Sequence, residues 1–179
     1  MLKDGTVNES RIVLGGAVPE AQPLRRFKIP SQTEGCVADP RTGTLYVGEE
    51  DAGVWRFPAG ALTGERVLDV DNRYLVADVE GLALVAEGAD GGFLAVSSQG
   101  DHAFALFRLP GLEPAGRFRV APGKEIGGSE ETDGIDLVAG DFGPGYRDGL
   151  FVAQDGFNQP RAQNFKLVSW GTIKAALGL

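Results

Sequence analysis

Three stretches of the chain repeat one pattern, and this internal periodicity restricts the possible folds more than any other feature. The first has T-E-G at Thr33–Gly35, L-Y-V-G-E-E-D at Leu45–Asp51 and V-W-R-F at Val54–Phe57. The second has V-E-G at Val79–Gly81, L-A-V-S-S-Q-G at Leu94–Gly100 and A-L-F-R-L at Ala105–Leu109. The third has T-D-G at Thr132–Gly134, L-F-V-A-Q-D-G at Leu150–Gly156 and N-F-K-L-V at Asn164–Val168. A repeat of about 50 residues, made of short apolar runs between glycines, is the signature of a propeller blade or a similar β-array.

Each repeat predicts an antiparallel meander. The first, near residues 31–70, predicts strands at Cys36–Ala38, Leu45–Gly48, Gly53–Phe57 and Arg66–Val70. The second, near 77–120, predicts Gly81–Val85, Phe93–Ser97, Ala103–Leu109 and Gly116–Val120, and the third, near 131–170, predicts Ile135–Val138, Gly149–Ala153 and Phe165–Trp170. Ahead of them, Arg11–Gly16 and Leu24–Ile29 read as strands with a loop at Pro19–Pro23 between them. Only Gly171–Leu179 reads as helical, with Gly178 as its stop. The 27 glycines and 10 prolines favour many short strands over a few long helices. The expectation is a single all-β domain over residues 1–179, about three four-stranded antiparallel blades.

Charge narrows the partners. With a net charge of −8, nucleic acid and anionic membranes are poor partners, although metal cations could stand between this surface and an anionic substrate. No apolar run approaches the roughly 18–20 residues that span a bilayer, and the first residues lack the apolar core of a secretory signal. The single cysteine, Cys36, lies in a predicted strand and is expected to be a buried free thiol.

The repeats also align oxygen-bearing side chains. The acid of each triplet recurs as Glu34, Glu80 and Asp133, and five residues after the leucine of each second run stand Glu50, Gln99 and Asp155. Glu49, Asp51, Asp78 and Asp136 lie close by in sequence. In a propeller, equivalent positions converge on a central channel. Unpaired carboxylates held together there raise one another's pKa, and a hard cation relieves the repulsion. Calcium suits an all-oxygen set, whereas zinc is disfavoured in a chain with one histidine and one cysteine. The other reading is that acids beside glycine are ordinary turn residues. Nucleophilic catalysis finds no support. His102 stands in a turn with no Ser/His/Asp order around it, Ser97–Gly100 lacks the G-x-S-x-G frame, and no Walker-type loop occurs.

Seven motifs occur in order along nearly the whole chain: S-Q-T-E-G at Ser31–Gly35, E-E-D at Glu49–Asp51, D-V-E-G at Asp78–Gly81, S-S-Q-G at Ser97–Gly100, E-T-D-G-I-D at Glu131–Asp136, G-L-F-V-A-Q-D-G at Gly149–Gly156 and Q-N-F-K at Gln163–Lys166. Together they resemble the β-propeller phytases, calcium-dependent enzymes that hydrolyse phytate. The resemblance implies the C-terminal half of a six-bladed propeller of roughly twice this length. It places calcium-site residues at Glu34, Glu50, Asp78, Glu80, Gln99 and Asp133, a further structural calcium at Asp155 and Asn158, and a phosphate contact at Lys3. It departs at Gly127, where the family carries another aspartate, and it lacks the N-terminal half that supplies most phosphate-gripping basic residues. It implies several calcium ions, phytate or other inositol phosphates as substrate, and an extracellular or periplasmic setting. It also implies a missing N-terminal half or a second copy as partner. The alternative is a fragment that binds calcium without turning over substrate.

Overall fold

The computed structural model describes residues 1–179. Two strands, β1 (Thr6–Val13) and β2 (Glu20–Lys28), form an antiparallel hairpin at the start of the chain. A four-stranded meander follows, made of β3 (Thr33–Ala38), β4 (Leu45–Glu49), β5 (Gly53–Phe57) and β6 (Glu65–Asp69). The second meander is β7 (Val79–Glu87), β8 (Gly91–Ser98), β9 (Ala103–Arg108) and β10 (Glu113–Phe118). The third is β11 (Ile135–Val138), β12 (Leu150–Asp155) and β13 (Asn164–Ser169), after which the chain turns into the helix α1 (Trp170–Leu177) instead of adding an outer strand. This is an all-β, propeller-like stack of antiparallel sheets. Ser169 caps α1 by accepting a bond from Thr172 N, and Gly178 ends it in the left-handed region at φ 69°. No helix is long and apolar enough to cross a membrane.

The inner strands of the second sheet carry near-continuous apolar runs because both of their faces are covered. In β8, Leu94 and Val96 join a core shared with the first sheet, while Phe93 and Ala95 join a core shared with the third sheet and α1. In β9, Ala105 and Phe107 face one way, and Phe104 and Leu106 the other. The hairpin closes a smaller core with Val7, Phe27, Ile29, Val47 and Phe57. The last sheet is covered on one face only. Leu137, Phe151 and Ala153 are buried against the second sheet, but Val138, Phe165 and Leu167 are exposed.

Two local results differ from the expectations. β2 begins at Glu20 and runs through Pro23, inside the Pro19–Pro23 stretch where a loop was expected; Pro23 pairs with Ser10 beside a register shift at Glu9/Ser10. Both strands of a two-stranded ribbon are edges, and a proline is tolerated there wherever its nitrogen faces away from the partner strand. Cys36 is exposed, not buried. Its ladder partner Val47 is fully buried in the small core that the hairpin closes.

The first two acid–glycine triplets are built as β-bulges, whereas the third, Thr132–Gly134, lies just ahead of β11. Between Thr33 and Cys36, β3 spends one residue more than β4 does between Glu49 and Val47. Between Val79 and Leu82, β7 does the same against β8. The extra residue re-aims side chains, and Val79 and Leu82 therefore point into the same core despite their odd spacing. The glycines permit close approach. A Cβ on Gly35 would stand 2.8 Å from Leu82 N and 2.9 Å from Gly81 Cα, and one on Gly81 would stand 2.7 Å from Ile135 N and 2.8 Å from Asp133 O. Gly134, by contrast, would meet nothing within 4 Å. Gly35→Ala and Gly81→Ala are each expected to cost about 1–3 kcal/mol of stability through backbone displacement. Gly134→Ala is expected to stay within about 0.5 kcal/mol of the parent. Urea denaturation of the three variants checks this.

Candidate functional site

Because β3 abuts β7 and β7 abuts β11, the triplets at the starts of these strands bring their acids towards one another. One carboxylate oxygen each from Glu34, Glu50 and Glu80 lies within 4.8 Å of the others. Glu34 and Glu80 come from the bulges, and Glu50 from the turn after β4. Backbone bonds fix that turn: Glu50 N donates to Gln32 O at 3.0 Å, and Val79 N donates to Glu50 O at 2.8 Å. Asp78 sits one residue ahead of β7, with its carbonyl accepting from Gln99 N at 2.9 Å. Gln99 donates from Nε2 to Asp133 Oδ1 at 2.7 Å, and so links the second sheet's loop to the third triplet.

The electrostatics are those of crowded, half-buried acids. Burial, then the charges of Glu34, Asp133, Glu50 and Asp78, push Glu80 up to about 8. Glu50 is raised by burial and then by Asp78, Glu34 and Asp51, with Lys3 opposing. Asp78 is raised by burial and then by Asp51, Glu131 and Glu34. Among the charges that shift these three groups, Lys3 is the one cation, itself exposed. Glu34, Glu50, Asp78, Glu80, Gln99, Asp133 and Lys3 are thus all linked to one site by contact or by field.

Asp155 and Asn158 are placed differently. β12 extends through Asp155, so this residue stays in the ladder opposite Asn164, whereas Glu50 and Gln99 have already left their strands. Its buried carboxylate receives Lys166 Nζ at Oδ2, 2.9 Å away, and Glu130 N at Oδ1, 3.2 Å away. Asn158 lies in the following loop, and its side-chain amide donates to Ala162 O. Glu49 is another satisfied acid. It is 2 % exposed, and Ser31 N, Ser31 Oγ and Trp55 Nε1 all donate to it. Asp136 accepts from Leu137 N on an exposed position. His102 stands at φ 54°, its Nδ1 3.3 Å from the donating Glu131 N, with no nucleophile beside it.

The structure adds two glutamines. Gln32 Nε2 donates to Glu34 Oε1 at 2.6 Å, and Gln154 Oε1 accepts from Asp133 N at 2.8 Å. Both stand inside the motifs quoted above, but nothing in the sequence marked either as the partner of an acid. The carboxylates line none of the larger concave surfaces, such as the groove of about 290 Å³ flanked by Asp39, Tyr46, Arg56 and Leu109. The site is an open acidic face suited to a hard cation: an all-oxygen donor set, mutual repulsion awaiting a counter-charge, and no soft ligand in reach.

Sheets stacked like propeller blades, with acids gathered where their first strands meet, define an all-β protein built around a carboxylate cluster. Residues 2–179 match the phytase family, and the chain belongs to it. It is 40% identical, over 185 residues, to the 3-phytase of Bacillus subtilis (strain 168), an alignment that takes in 98% of this chain and 48% of that protein. The chain therefore spans about half the length of this curated relative.

The raised carboxyl sets a pH dependence. The folded state holds the Glu80 proton up to about pH 8, while the unfolded chain releases it near the ordinary 4.5. Folded protein binds more protons across that window, so metal-free stability is fully present below it and is lost as the pH rises towards about 8. Urea unfolding in EDTA is expected to show lower stability at pH ~8.5 than at pH ~5, and Glu80→Gln is expected to remove much of the difference.

Proposed function

We propose that this chain is the carboxylate-bearing half of a calcium-dependent phytase, which removes phosphate from phytate or other inositol phosphates. The observation that carries the proposal is the convergence of Glu34, Glu50 and Glu80 within 4.8 Å, in a chain of the phytase family. Glu34, Glu50, Asp78, Glu80 and Asp133, with the Gln99 carbonyl oxygen, would hold the cations. Bound calcium would supply Lewis-acid charge that neutralises phosphoryl oxygens and acidifies water.

The chain's own residues do the rest. Gln32 orients Glu34, Gln99 and Gln154 orient Asp133, and the bulge glycines hold the spacing. Lys3, whose field reaches Glu50, would receive a substrate phosphate. That chemistry suits an extracellular or periplasmic setting, where calcium sites of modest affinity fill. The bare outer face of the last sheet, with Val138, Phe165 and Leu167, is covered in the working enzyme by the remaining sheets of a longer chain or by a second copy.

One observation favours a second reading, a calcium-holding fragment with little turnover: among the charges that shift Glu50, Asp78 and Glu80, Lys3 is the one cation. Preorganised charge is worth about 10²–10³ in rate for each donor. Phosphate release from phytate by the 179-residue chain in calcium is therefore expected to fall at least about 10²-fold below that of the Bacillus relative. Thermal melts test metal binding separately. Calcium is expected to raise the midpoint more than magnesium does, Glu34→Gln or Glu80→Gln to abolish that rise, and phytate to add a further rise only with calcium present. Equal responses to the two metals would remove calcium from the proposal.

A further inference from the structure

The most deeply buried ion pair in the chain lies outside the acid cluster and is used by none of the chemistry above. Lys166 and Asp155 are 7% and 3% exposed along their side chains, with Nζ 2.9 Å from Oδ2. Lys166 Nζ also donates to Asn164 Oδ1 at 2.8 Å. Both acceptors sit at the end of the β12–β13 ladder, where Asp155 faces Asn164 directly and Lys166 pairs with Ala153 two residues back. The remaining Asp155 oxygen accepts from Glu130 N at 3.2 Å, and Gly156 N donates to Glu130 O at 2.9 Å. The peptide of Glu130 is gripped from both sides. Gln154, at the same strand end, accepts from Asp133 N at 2.8 Å and donates its own N–H to Gly134 O at 2.9 Å.

We propose that the Lys166–Asp155 pair is a positioning device, with an internal ammonium in the role of a structural cation, and that it clamps the Glu130–Gly134 segment so that Asp133 is presented to the carboxylate cluster. A metal ion does not fit at Asp155. Each of its oxygens already accepts from an N–H donor, and a second cation on the same carboxylate would be repelled by the ammonium. A side chain at Gly127 would begin 3.9 Å from Lys166 Nζ; with glycine there, the ammonium is left to Asp155 and Asn164. The chain of contact runs from Lys166 through Asp155 to Glu130, and three residues on to the acid that Gln99 holds. The part of this proposal that concerns calcium affinity rests on the reading of the cluster as a calcium site; the clamp itself does not.

Amide hydrogen exchange on the full chain tests the clamp without metal. In the parent, Glu130 and Gly156 amides are expected to be protected equally in EDTA and in calcium. Lys166→Met leaves a buried carboxylate unpaired. It is expected to speed both amides at least about tenfold and to lower the melting midpoint by about 5–15 °C. Asp155→Asn combined with Lys166→Met removes the charge but keeps an oxygen for Glu130 N, and is expected to recover much of both losses. Calorimetric titration with calcium reads the positioning role: Lys166→Met is expected to weaken binding several-fold with an unchanged number of ions. Parent protection that depends on calcium, or a Lys166→Met variant that takes up an additional ion with no change in the parent sites, would overturn the proposal in favour of a metal at Asp155. Unchanged exchange in Lys166→Met would overturn it by showing the pair to be idle. If the parent binds no calcium, the calcium-site reading falls, and the exchange measurement still decides the clamp.

Discussion

Neighbouring sheets in this protein meet most closely where the acid–glycine pair of one first strand touches the backbone of the next. Gly35 lies against Glu80–Leu82, and Gly81 against Asp133–Ile135, at separations that exclude a Cβ. The same contact that stacks the sheets therefore delivers a carboxylate from each to the same place. Fold and site are two consequences of one geometry: the bulge that lets the strands approach is also what turns Glu34 and Glu80 out of the ladder. The approach gathers like charges, and Glu80, raised to about 8, records the strain. The two cores of eleven buried residues on either side of the second sheet hold the strands there regardless. Each well-buried aliphatic or aromatic side chain contributes about 1.5–3 kcal/mol, so a few of them outweigh one displaced proton equilibrium.

A second regularity braces the first. The last residue of β4, the last of β8 and the last but one of β12 occupy the same place in the repeat: Glu49, Ser98 and Gln154. Glu49 accepts from Ser31 N ahead of β3, Ser98 Oγ accepts from Val76 N ahead of β7, and Gln154 accepts from Asp133 N ahead of β11. Three different side chains perform one task, holding the segment that enters the first strand of the sheet. The next position shows divergence instead. Glu50 joins the acids and Gln99 bonds to one of them, while Asp155 remains inside its strand, neutralised by Lys166.

The repeat made the sheets legible before any coordinates, because alternating and continuous apolar runs report directly on which faces are covered. It also marked Glu34, Glu50, Glu80 and Asp133, since a position fixed in every repeat is a position fixed in space. What it could not convey was strand length. Asp155 looks equivalent to Glu50 by counting from the leucine, yet one further residue in the β12 ladder turns its carboxylate from the open site into a buried pair. Nor could spacing show that Cys36, in an apolar run, has no second layer above it, or that Pro23 would sit in a ribbon with free edges. Those outcomes depend on neighbours far away in sequence. The Gln154–Asp133 bond belongs to the same class, because its partners are twenty-one residues apart.

The three triplets also show how flanking sheets set the character of each acid. Glu80 has a sheet on either side and is 8% exposed, whereas Asp133 is exposed and its Gly134 faces open space. The sequence of the two triplets is nearly the same, so the difference comes from stacking and not from local chemistry. A further strand laid against Gly134, at the distance that β7 keeps from β3, would bury Asp133 as Glu80 is buried now. It would also cover the outer face on which Val138, Phe165 and Leu167 are bare. Burial is the first cause of the raised Glu50, Asp78 and Glu80, so the demand of this site for a counter-charge grows with the number of sheets around it. The repulsion gathered in this cluster is therefore set by how many sheets enclose it, and not by the triplets alone.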